Sequence, residues 1–553
     1  MHSTLAPFVR SGIALLVAAS ASARVAVAQS LPVGVPPGAA AIEQRAAGTA
    51  PPARLAEQFD GLGAGFRGPQ GDATLRNPSD NSLAVGRDHI VQTVNSRMAI
   101  FSKRGATFGT TGEALYGPVP TNNVFRGFGG PCEERNNGDA VVRYDQLADR
   151  WLLVMPVFSR MPPRTAPPGP RRAPLFVPPP ARPTPPGGAG AAAAAPTGAA
   201  TRPPPPPDSG GYAMCYAIST SSDPMGSWDR YEFARPLFPD YPRPAVWPDG
   251  YYVPTSTGDD VVEKHVCVVD RARMLAGEDA TEQCVIVQDV NFLNTADLDG
   301  TLLPPAGAPN LVLAAGGTQL RGDFEDDVLL AWRFFVDWEA PARTRLEGPT
   351  RIRVAPYRYL CGGQLTNCVP QKGTDRRLDA QGDKLMARTV YRRFATHEAL
   401  VAVHSVNTEA LGGGVRWYEL RLDARGLPAL HQQGTFAPDS DFRWMASPAI
   451  DALGNIGIGY SFGGASHFPG QRFAGRSAGD PLGTLTFGER VLVEGAAAQT
   501  TTLRWEDYTQ TAIDPADDCT VWYVGDYLKA GATSYSTRIG AFRMPGCPRE
   551  GED

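Results

Sequence analysis

Ile450-Asp-Ala-Leu-Gly-Asn-Ile-Gly-Ile-Gly-Tyr460 reads as an apolar residue, an aspartate, a short turn and a second apolar run. An Asp side chain accepts hydrogen bonds from backbone N–H groups two residues on, and Gly454 supplies the positive φ that a tight turn needs. The same order recurs at Tyr144-Asp145, at Ile513-Asp514 and at Leu422-Asp423, where the turn reads Ala-Arg-Gly. These aspartates therefore read as turn-formers rather than catalysts. Outward from the turns lie short runs rich in Val, Ile, Tyr, Trp and Phe, which suit a pleated, half-buried surface. They are Ile90–Val94, Ala140–Tyr144, Trp151–Val157, Tyr212–Ser219, Val261–Val269, Val328–Phe335, Leu400–Val406, Val415–Leu422, Ile456–Tyr460, Thr520–Tyr523 and Thr537–Phe542. Amphipathic helices are nearly absent, Arg271–Ala276 offering one or two turns. The class is all-β.

A turn that recurs between short strands marks a repeat architecture, although the spacing here is irregular. Propeller blades have four strands and roughly 40–50 residues, and the chain has room for about seven to nine of them with loops. The expectation is a single β-propeller domain over residues 59–547 with seven four-stranded blades, six and eight being the neighbouring counts. A pair of two-sheet sandwiches is the alternative. Residues 29–58, rich in Ala, Pro and Gly, read as a flexible N-terminal tether. Residues 161–211, with alanines from Ala191 to Ala195 and prolines from Pro203 to Pro207, read as a disordered or polyproline-like insertion within the domain. Residues 548–553 form a tail.

The first residues address the compartment. Arg10 supplies a positive n-region, Ile13 to Ala19 an apolar stretch, and Ala26-Val27-Ala28 before Gln29 a cleavage pattern, so residues 1–28 are expected to be a signal peptide. The apolar run is shorter than the roughly 20 residues of a membrane span, and no second one follows, so no transmembrane segment is expected after cleavage. A secreted or periplasmic location follows. The eight cysteines are Cys132, Cys215, Cys267, Cys284, Cys361, Cys368, Cys519 and Cys547. An even number in an oxidising compartment, with no C-x-x-C pair, favours disulfides over zinc. Local pairing of Cys267 with Cys284, Cys361 with Cys368 and Cys519 with Cys547 is the simplest arrangement. A net charge of −5 without a basic stripe excludes tracking of a phosphate backbone, and nucleic acid with it.

Ser221-Ser-Asp223-Pro-Met-Gly226-Ser-Trp228 resembles the Asp box of sialidase-type propellers, with Gly226 one place late, and also a hairpin of glycosidase propellers. Both resemblances imply a structural hairpin and name no substrate. Longer stretches resemble a family of uncharacterised secreted bacterial proteins, from about residue 77 to Cys547. They include Asp80-Asn81 through Gly86, Gly138-Asp139 with Tyr144-Asp145, and Asp240-Tyr241 with Trp247 and Asp249-Gly-Tyr251. Val415-Arg416-Trp417-Tyr418-Glu419, Phe442-Arg443-Trp444-Met445 and Arg504-Trp505-Glu506-Asp507-Tyr508 continue the series. Pro78-Ser79-Asp80 and Ala245 depart from the family's usual residues. The resemblance implies a secreted propeller-like fold and supplies no activity.

Polar residues beside aromatics at strand starts are the candidate site, because strand starts on one face of a propeller converge on its central channel. Aromatic faces stack on sugar C–H groups while carboxylates and Arg take the hydroxyls. Asp80, Asp240, Tyr241, Arg243, Arg443, Trp444, Arg476, Arg504 and Trp505 are the candidate ligand-binding residues, and Asp139, Glu506 and Asp507 the candidate catalytic carboxylates, with Asp249 as a further acid. Glycoside hydrolysis needs two carboxylates roughly 5–5.5 Å apart for retention or 6.5–9.5 Å for inversion. The bland reading is that Arg–Asp pairs knit neighbouring blades together. Arg443, Arg476 and Arg504 could clamp an acidic sugar as in sialidases, but no Tyr/Glu nucleophile pair is recognisable. His397 and His404 are the only histidines close together, and mid-strand His404 reads as a satisfied half-buried residue. No cofactor is evident. Ca²⁺ is the one candidate ion, at the acidic cluster Asp323, Glu325, Asp326 and Asp327 or at Asp297 and Asp299 before Gly300. No H-E-x-x-H, nucleophile elbow or Walker loop is present. The expected function is binding of a glycan or cell-surface polymer, with cleavage of glycosidase or lyase type. The alternatives are a non-catalytic adhesion or interaction module at the cell envelope and a purely structural exported protein. Oligomeric state is not written in these features.

Overall fold

The computed structural model describes residues 35–547 apart from 159–170, 176–211, 236–237, 257–262, 289, 317–326 and 364–366. The expected signal peptide, the C-terminal tail and most of the Pro/Ala-rich insertion lie outside the described residues. What is described is all-β in a propeller-like arrangement. Four sheets stand as separate blades. The first holds Ser82–Val85, His89–Val94, Arg97–Ser102 and Ala114–Pro120, paired in chain order. The second holds Val141–Asp145, Arg150–Val157, Tyr212–Ser219 and Ser227–Arg235. The third holds Ala245–Trp247, Gly250–Ser256, Glu263–Asp270 and Glu282–Gln288. The fourth holds Gln510–Ile513, Thr520–Tyr527, Ser536–Arg543 and, on its outer edge, Arg54–Asp60 from the other end of the chain.

Twelve strands between the third and fourth of these blades, joined by Glu43–Gln44 from near the N-terminus, form one 13-stranded sheet. It contains antiparallel quartets from Asn294–Asp299 to Arg345–Arg353, from Thr389–Arg393 to Pro428–Phe436 and from Phe442–Ile450 to Arg490–Val493. Parallel pairing joins them: Ala296–Asp299 lies beside Thr389–Arg392, and Gly413 beside Phe442.

The core sits between adjacent sheets. Leu153 and Cys215 of the second sheet pack with Val91 and Ile100 of the first, and Val154 and Met214 pack with Tyr251 and Val253 of the third. Leu83 and Ile90 of the first sheet pack with Val524 and Ile539 of the fourth. Inner strands are thus covered on both faces, which is why Ile456–Gly464 and Phe442–Ile450 are buried at every position instead of alternating. Full burial of a Val, Leu, Ile, Phe or Met side chain contributes about 1.5–3 kcal/mol. Gly459 shows what close stacking demands, since a Cβ there would stand 2.3 Å from the Tyr523 ring.

The turn aspartates behave as their sequence positions predict. The Oδ1 atoms of Asp145, Asp423, Asp451 and Asp514 accept from the N–H two residues on, at 3.1, 2.8, 2.9 and 2.9 Å. The hairpin at Ser221–Trp228 also forms: Met225 N–H donates to Asp223 at 2.9 Å, and the buried Trp228 indole donates to the Pro224 carbonyl at 3.0 Å. Arg271–Ala276 is an α-helix, capped by the Asp270 carboxylate on Arg273 N–H. The three local disulfides form as expected, and Cys132 pairs with Cys215. Four disulfides fit an oxidising compartment. Among the described residues no helix is long and apolar enough to cross a membrane.

Two readings are corrected. From Ala39 onward the expected tether is folded: Glu43–Gln44 pairs with Thr435–Phe436, Ala50 bridges Phe487, and Arg54–Asp60 is a full edge strand. Its Ala/Pro/Gly content hid this, because an edge strand needs few apolar residues when the sheet beside it is already covered. Within the insertion, Arg172–Pro174 pairs with Ser227–Asp229, and Leu175 is buried.

Candidate functional site

Tyr241, Phe292, Tyr508, Val141 and Ala387 come from five separate stretches of the chain and pack together at the ends of the first strands, where the blades converge. Tyr241 lies stacked on Tyr508, with ring centroids 4.2 Å apart and planes inclined by 18°, and meets Phe292 edge-on at 5.2 Å. Cations cover these rings. Arg243 Cζ is 4.1 Å from the Tyr241 centroid, and Lys384 Nζ is 3.8 Å from that of Phe292 and 4.8 Å from that of Tyr241. Lys264 Nζ is 5.4 Å from Phe292. Such contacts strengthen when desolvated, and Arg243, Lys264 and Lys384 are all buried.

Carboxyl groups ring the aromatic patch. Asp80, Asp139 and Asp240 make a hydrogen-bonded row, Asp139 touching both others. Asp139 N–H donates to Asp80 Oδ2 at 3.4 Å, and Tyr508 Oη to Asp139 Oδ2 at 3.5 Å. Carboxyl groups this close cannot all ionise. Burial, then the charges of Asp139 and Asp507, hold Asp80 protonated well above the ordinary carboxylate range. Burial and the Asp240 charge push Asp139 up to about 8. Burial also raises Asp240, and burial with the Asp507 charge raises Asp379 to about 7. The lysines move the other way. Burial, then the Arg243 charge, lowers Lys264 to about 8, and burial lowers Lys384.

Arg504 pairs with Asp507 and lies 3.7 Å from Asp379. Gln381 donates to Asp379 at 3.1 Å and to Asp507 at 3.2 Å, and Lys384 donates to Gln381 and lies 3.4 Å from Asp383. Asp139 and Asp240 keep partial exposure, and the Arg504 side chain is 38% exposed, so these three form the solvent-facing rim over a buried floor.

The backbone fixes this geometry. Asp80, Asp139, Tyr241, Gln381, Glu506 and Asp507 all have positive φ, between 47° and 67°. Left-handed backbone is uncommon outside glycine and survives where surrounding structure determines it, which clusters at functional sites. Here Asp80 N–H bonds the Glu506 carbonyl at 2.7 Å, and Tyr241 Oη donates to the Asp507 carbonyl at 2.5 Å.

Seven sequence candidates therefore meet: Asp80, Asp139, Asp240, Tyr241, Arg243, Arg504 and Asp507. The others do not join them. The Glu506 carboxylate turns away between blades and accepts from Ser461 Oγ at 2.8 Å, Gln471 Nε2 at 2.9 Å and Asp526 N–H at 2.6 Å. Trp505 donates to Ser461 Oγ at 2.9 Å and packs in the core beside Trp444, which is fully buried. Arg443 is held by Asp439 and Glu489, and Arg476 by Gln432 and the carbonyls of Asp480 and Pro481. The three-arginine clamp is thus corrected: Arg443, Arg476 and Arg504 serve three separate partner sets. Asp249 lies at the opposite end of its sheet, accepting from Tyr252 Oη at 3.1 Å. His404 is fully buried rather than half-buried, with Nε2 hydrogen-bonded to Tyr418 Oη at 2.9 Å and Nδ1 without a hydrogen-bond partner among the described residues.

The Asp297 and Asp299 carboxylates face guanidinium groups, with Val246 N–H donating to Asp297 Oδ1 at 2.9 Å. Arg388 Nε donates to Asp297 Oδ2 at 2.8 Å, Arg388 pairs with Asp299, and Arg143 lies 3.2 Å from Asp297. These groups help line a recess at the other end of the first strands. Of the acidic cluster 323–327, only Asp327 is described, and its carboxylate accepts from Tyr357 N–H at 2.8 Å.

Sequence reasoning missed Lys264, Phe292, Asp379, Gln381, Asp383, Lys384 and Tyr508. Tyr508 carried a signal, lying in the run Arg504–Tyr508 beside the acids that were singled out. Gln381-Gly-Asp-Lys384 carried only that of a polar loop.

No family model matches the chain, and no curated protein matches it. Solved structures similar to it include a protein of unknown function from Dyadobacter fermentans, at 11% identity over 89% of this chain and 100% of that chain, TM-score 0.32. Another is a polysaccharide lyase described as an ulvan lyase, at 11% identity over 89% and 96%, TM-score 0.35. A third is an α-L-arabinanase of Cellvibrio cellulosa, at 11% identity over 65% and 96%, TM-score 0.25. Uncharacterised and glycan-degrading proteins thus stand together among the neighbours, all too distant to bear on a site.

Proposed function

We propose that this chain is a seven-bladed propeller, exported through residues 1–28, that binds and cleaves a glycan or cell-surface polymer at the channel mouth. The blade count rests on dividing the 13-stranded sheet into its three antiparallel quartets, which join the four separate sheets. In support, the first strands of all seven quartets neighbour one another in a closed circuit, from Ser82–Val85 round to Gln510–Ile513.

The observation that carries the activity is Asp139. It is partly exposed, its backbone is held left-handed, and burial with the Asp240 charge raises its pKa to about 8. A carboxylic acid that stays protonated at working pH is what a glycosidic oxygen needs as it leaves. Asp80 and Asp240 hydrogen-bond Asp139, so neither stands at the separation of a nucleophile or water-activating pair, roughly 5–9.5 Å. Asp507, anchored by Arg504, is the second carboxylate in this reading. Tyr241 and Tyr508 supply an apolar floor, and Arg504 a donor for sugar hydroxyls.

The second reading is a non-catalytic adhesion or interaction module. It is favoured by the mutual hydrogen bonds and ion pairs of Asp379, Gln381, Lys384, Arg504 and Asp507, which suit a rigid binding floor. A polysaccharide panel incubated with the mature protein, residues 29–553, separates the two when binding and released ends are scored together. Release lost in Asp139→Asn establishes the enzyme. Binding without release leaves the module, and silence on both removes the glycan.

A further inference from the structure

Cys284 is exposed on the outermost strand of the third sheet, while the other seven cysteines are buried or half-buried. Its partner Cys267 stands directly opposite on Glu263–Asp270 and is fully buried. A buried guanidinium from the neighbouring sheet lies against the bond: Arg235 Nη1 contacts Cys267 Sγ and approaches Cys284 Sγ at 3.1 Å. Arg235 Nη2 is held by Glu282 Oε1 at 2.5 Å and Tyr216 Oη at 3.2 Å, which fixes the head in place. Arg235 Nε finds no acceptor among the described residues.

We infer that Cys267–Cys284 is a thiol-exchange site, opened by a dithiol reductant that attacks Cys284. Exchange needs a reachable sulfur and a good leaving thiolate, and a cation beside a thiol lowers its pKa. Cys284 is the reachable sulfur. Attack by one thiolate of the dithiol forms a mixed disulfide at Cys284 and expels Cys267 as a thiolate beside the Arg235 guanidinium. The second thiol of the reductant then closes on the mixed disulfide and releases the Cys284 thiolate. Both cysteines end as thiols after taking up two protons, two electrons having passed from the dithiol, which leaves as a cyclic or intramolecular disulfide. The ladder continues on either side, His265 facing Ile286 and Val268 facing Gln283, so the bond opens without parting the strands. The Cys267 strand also carries Lys264, three residues earlier, into the channel-mouth cluster.

The test is graded reduction of the folded mature protein with dithiothreitol, alkylation of new thiols and peptide mapping. Cys267 and Cys284 are expected to be labelled before any other pair. Arg235→Gln is expected to slow their reduction about tenfold, and Arg235→Lys to restore most of the rate. Earlier labelling of another pair, or loss of all four together, overturns the inference, and the wild-type measurement alone suffices if the variants do not fold. A folded Arg235→Gln protein reduced at the wild-type rate also overturns it.

Discussion

The ring of Tyr241 rests on the ring of Tyr508, 4.2 Å between centroids, and so joins the third and fourth sheets across the channel mouth. The two phenols are anchored differently. Tyr241 Oη donates to the Asp507 carbonyl at 2.5 Å, whereas Tyr508 Oη reaches Asp139 only at 3.5 Å. Tyr508→Phe keeps the stack and is expected to cost about 1 kcal/mol or less. Tyr508→Ala empties a buried ring site and is expected to cost about 3–5 kcal/mol. Urea denaturation of both variants measures the difference. Equal losses would mean that the hydroxyl contact, not the stack, holds the sheets.

Stability is expected to fall as pH rises from about 4 to 8. Asp139 is held up to about 8, and Asp299, Asp379 and Asp526 to about 7, with burial the first cause of each. Between a carboxyl group's ordinary pKa and its raised one, the folded chain binds a proton that the unfolded chain has released, so stability drops with pH across that window. Lys264, lowered to about 8, works in the opposite sense only above that value. The midpoint of thermal unfolding followed across pH should decline from acid to neutral, and Asp139→Asn should flatten part of the slope. A midpoint that climbs from pH 4 to 8 would show that these acids are ionised in the folded protein.

Glu506 and Asp139 should separate by variant. The buried Glu506 carboxyl, raised well above its ordinary range first by burial and then by Asp526, binds Ser461, Gln471 and Asp526 N–H. Glu506→Gln keeps an accepting oxygen for Gln471 and Asp526 N–H but turns a donor toward Ser461 Oγ, so it should lose less than Glu506→Ala, which leaves buried donors unmet at about 1–3 kcal/mol each. Neither change removes the Asp139 proton. Asp139→Asn is expected to keep the fold and lower polymer cleavage about 10²–10⁴-fold. Full cleavage by folded Asp139→Asn would remove it from the chemistry.

The turns and strands were legible because their signals are local. Asp451 and its Asn455 turn, or Tyr212–Ser219 in full, need nothing from the rest of the chain to be read. The site was half legible for the same reason. Asp80, Asp139, Asp240 and Tyr241 stand before strands and could be picked out, but their meeting depends on which strands come first in each blade. Arg443 and Trp444 sit in the same kind of position, yet Arg443 is drawn outward by Glu489, 46 residues on, and no local pattern foretells that pairing. Lys384 was invisible because its role comes from Phe292 and Tyr241, both distant in sequence.

The N-terminal strand supplies the last prediction. Arg54–Asp60 pairs along its length with Ser536–Arg543, so the two ends of the chain complete one sheet, and Cys519–Cys547 ties down the segment that carries the inner partner. Removing residues 35–60 would strip the Ser536–Arg543 edge of its ladder and uncover Ile539 and Phe542, both buried in the intact protein. Unpaired edges template association between chains. A chain beginning at Gly61 is therefore expected to unfold at lower urea and to self-associate on size exclusion, whereas one beginning at Val35 should remain monomeric and as stable as the chain of residues 29–553. The contrast depends on closure, not on length removed: Lys529 and Arg538 both reach Asp60, and Tyr527 donates to it at 2.8 Å, so the strand is bound by side chains as well as backbone. A monomeric, equally stable chain beginning at Gly61 would return these residues to the status of a tether and leave the fourth sheet three-stranded.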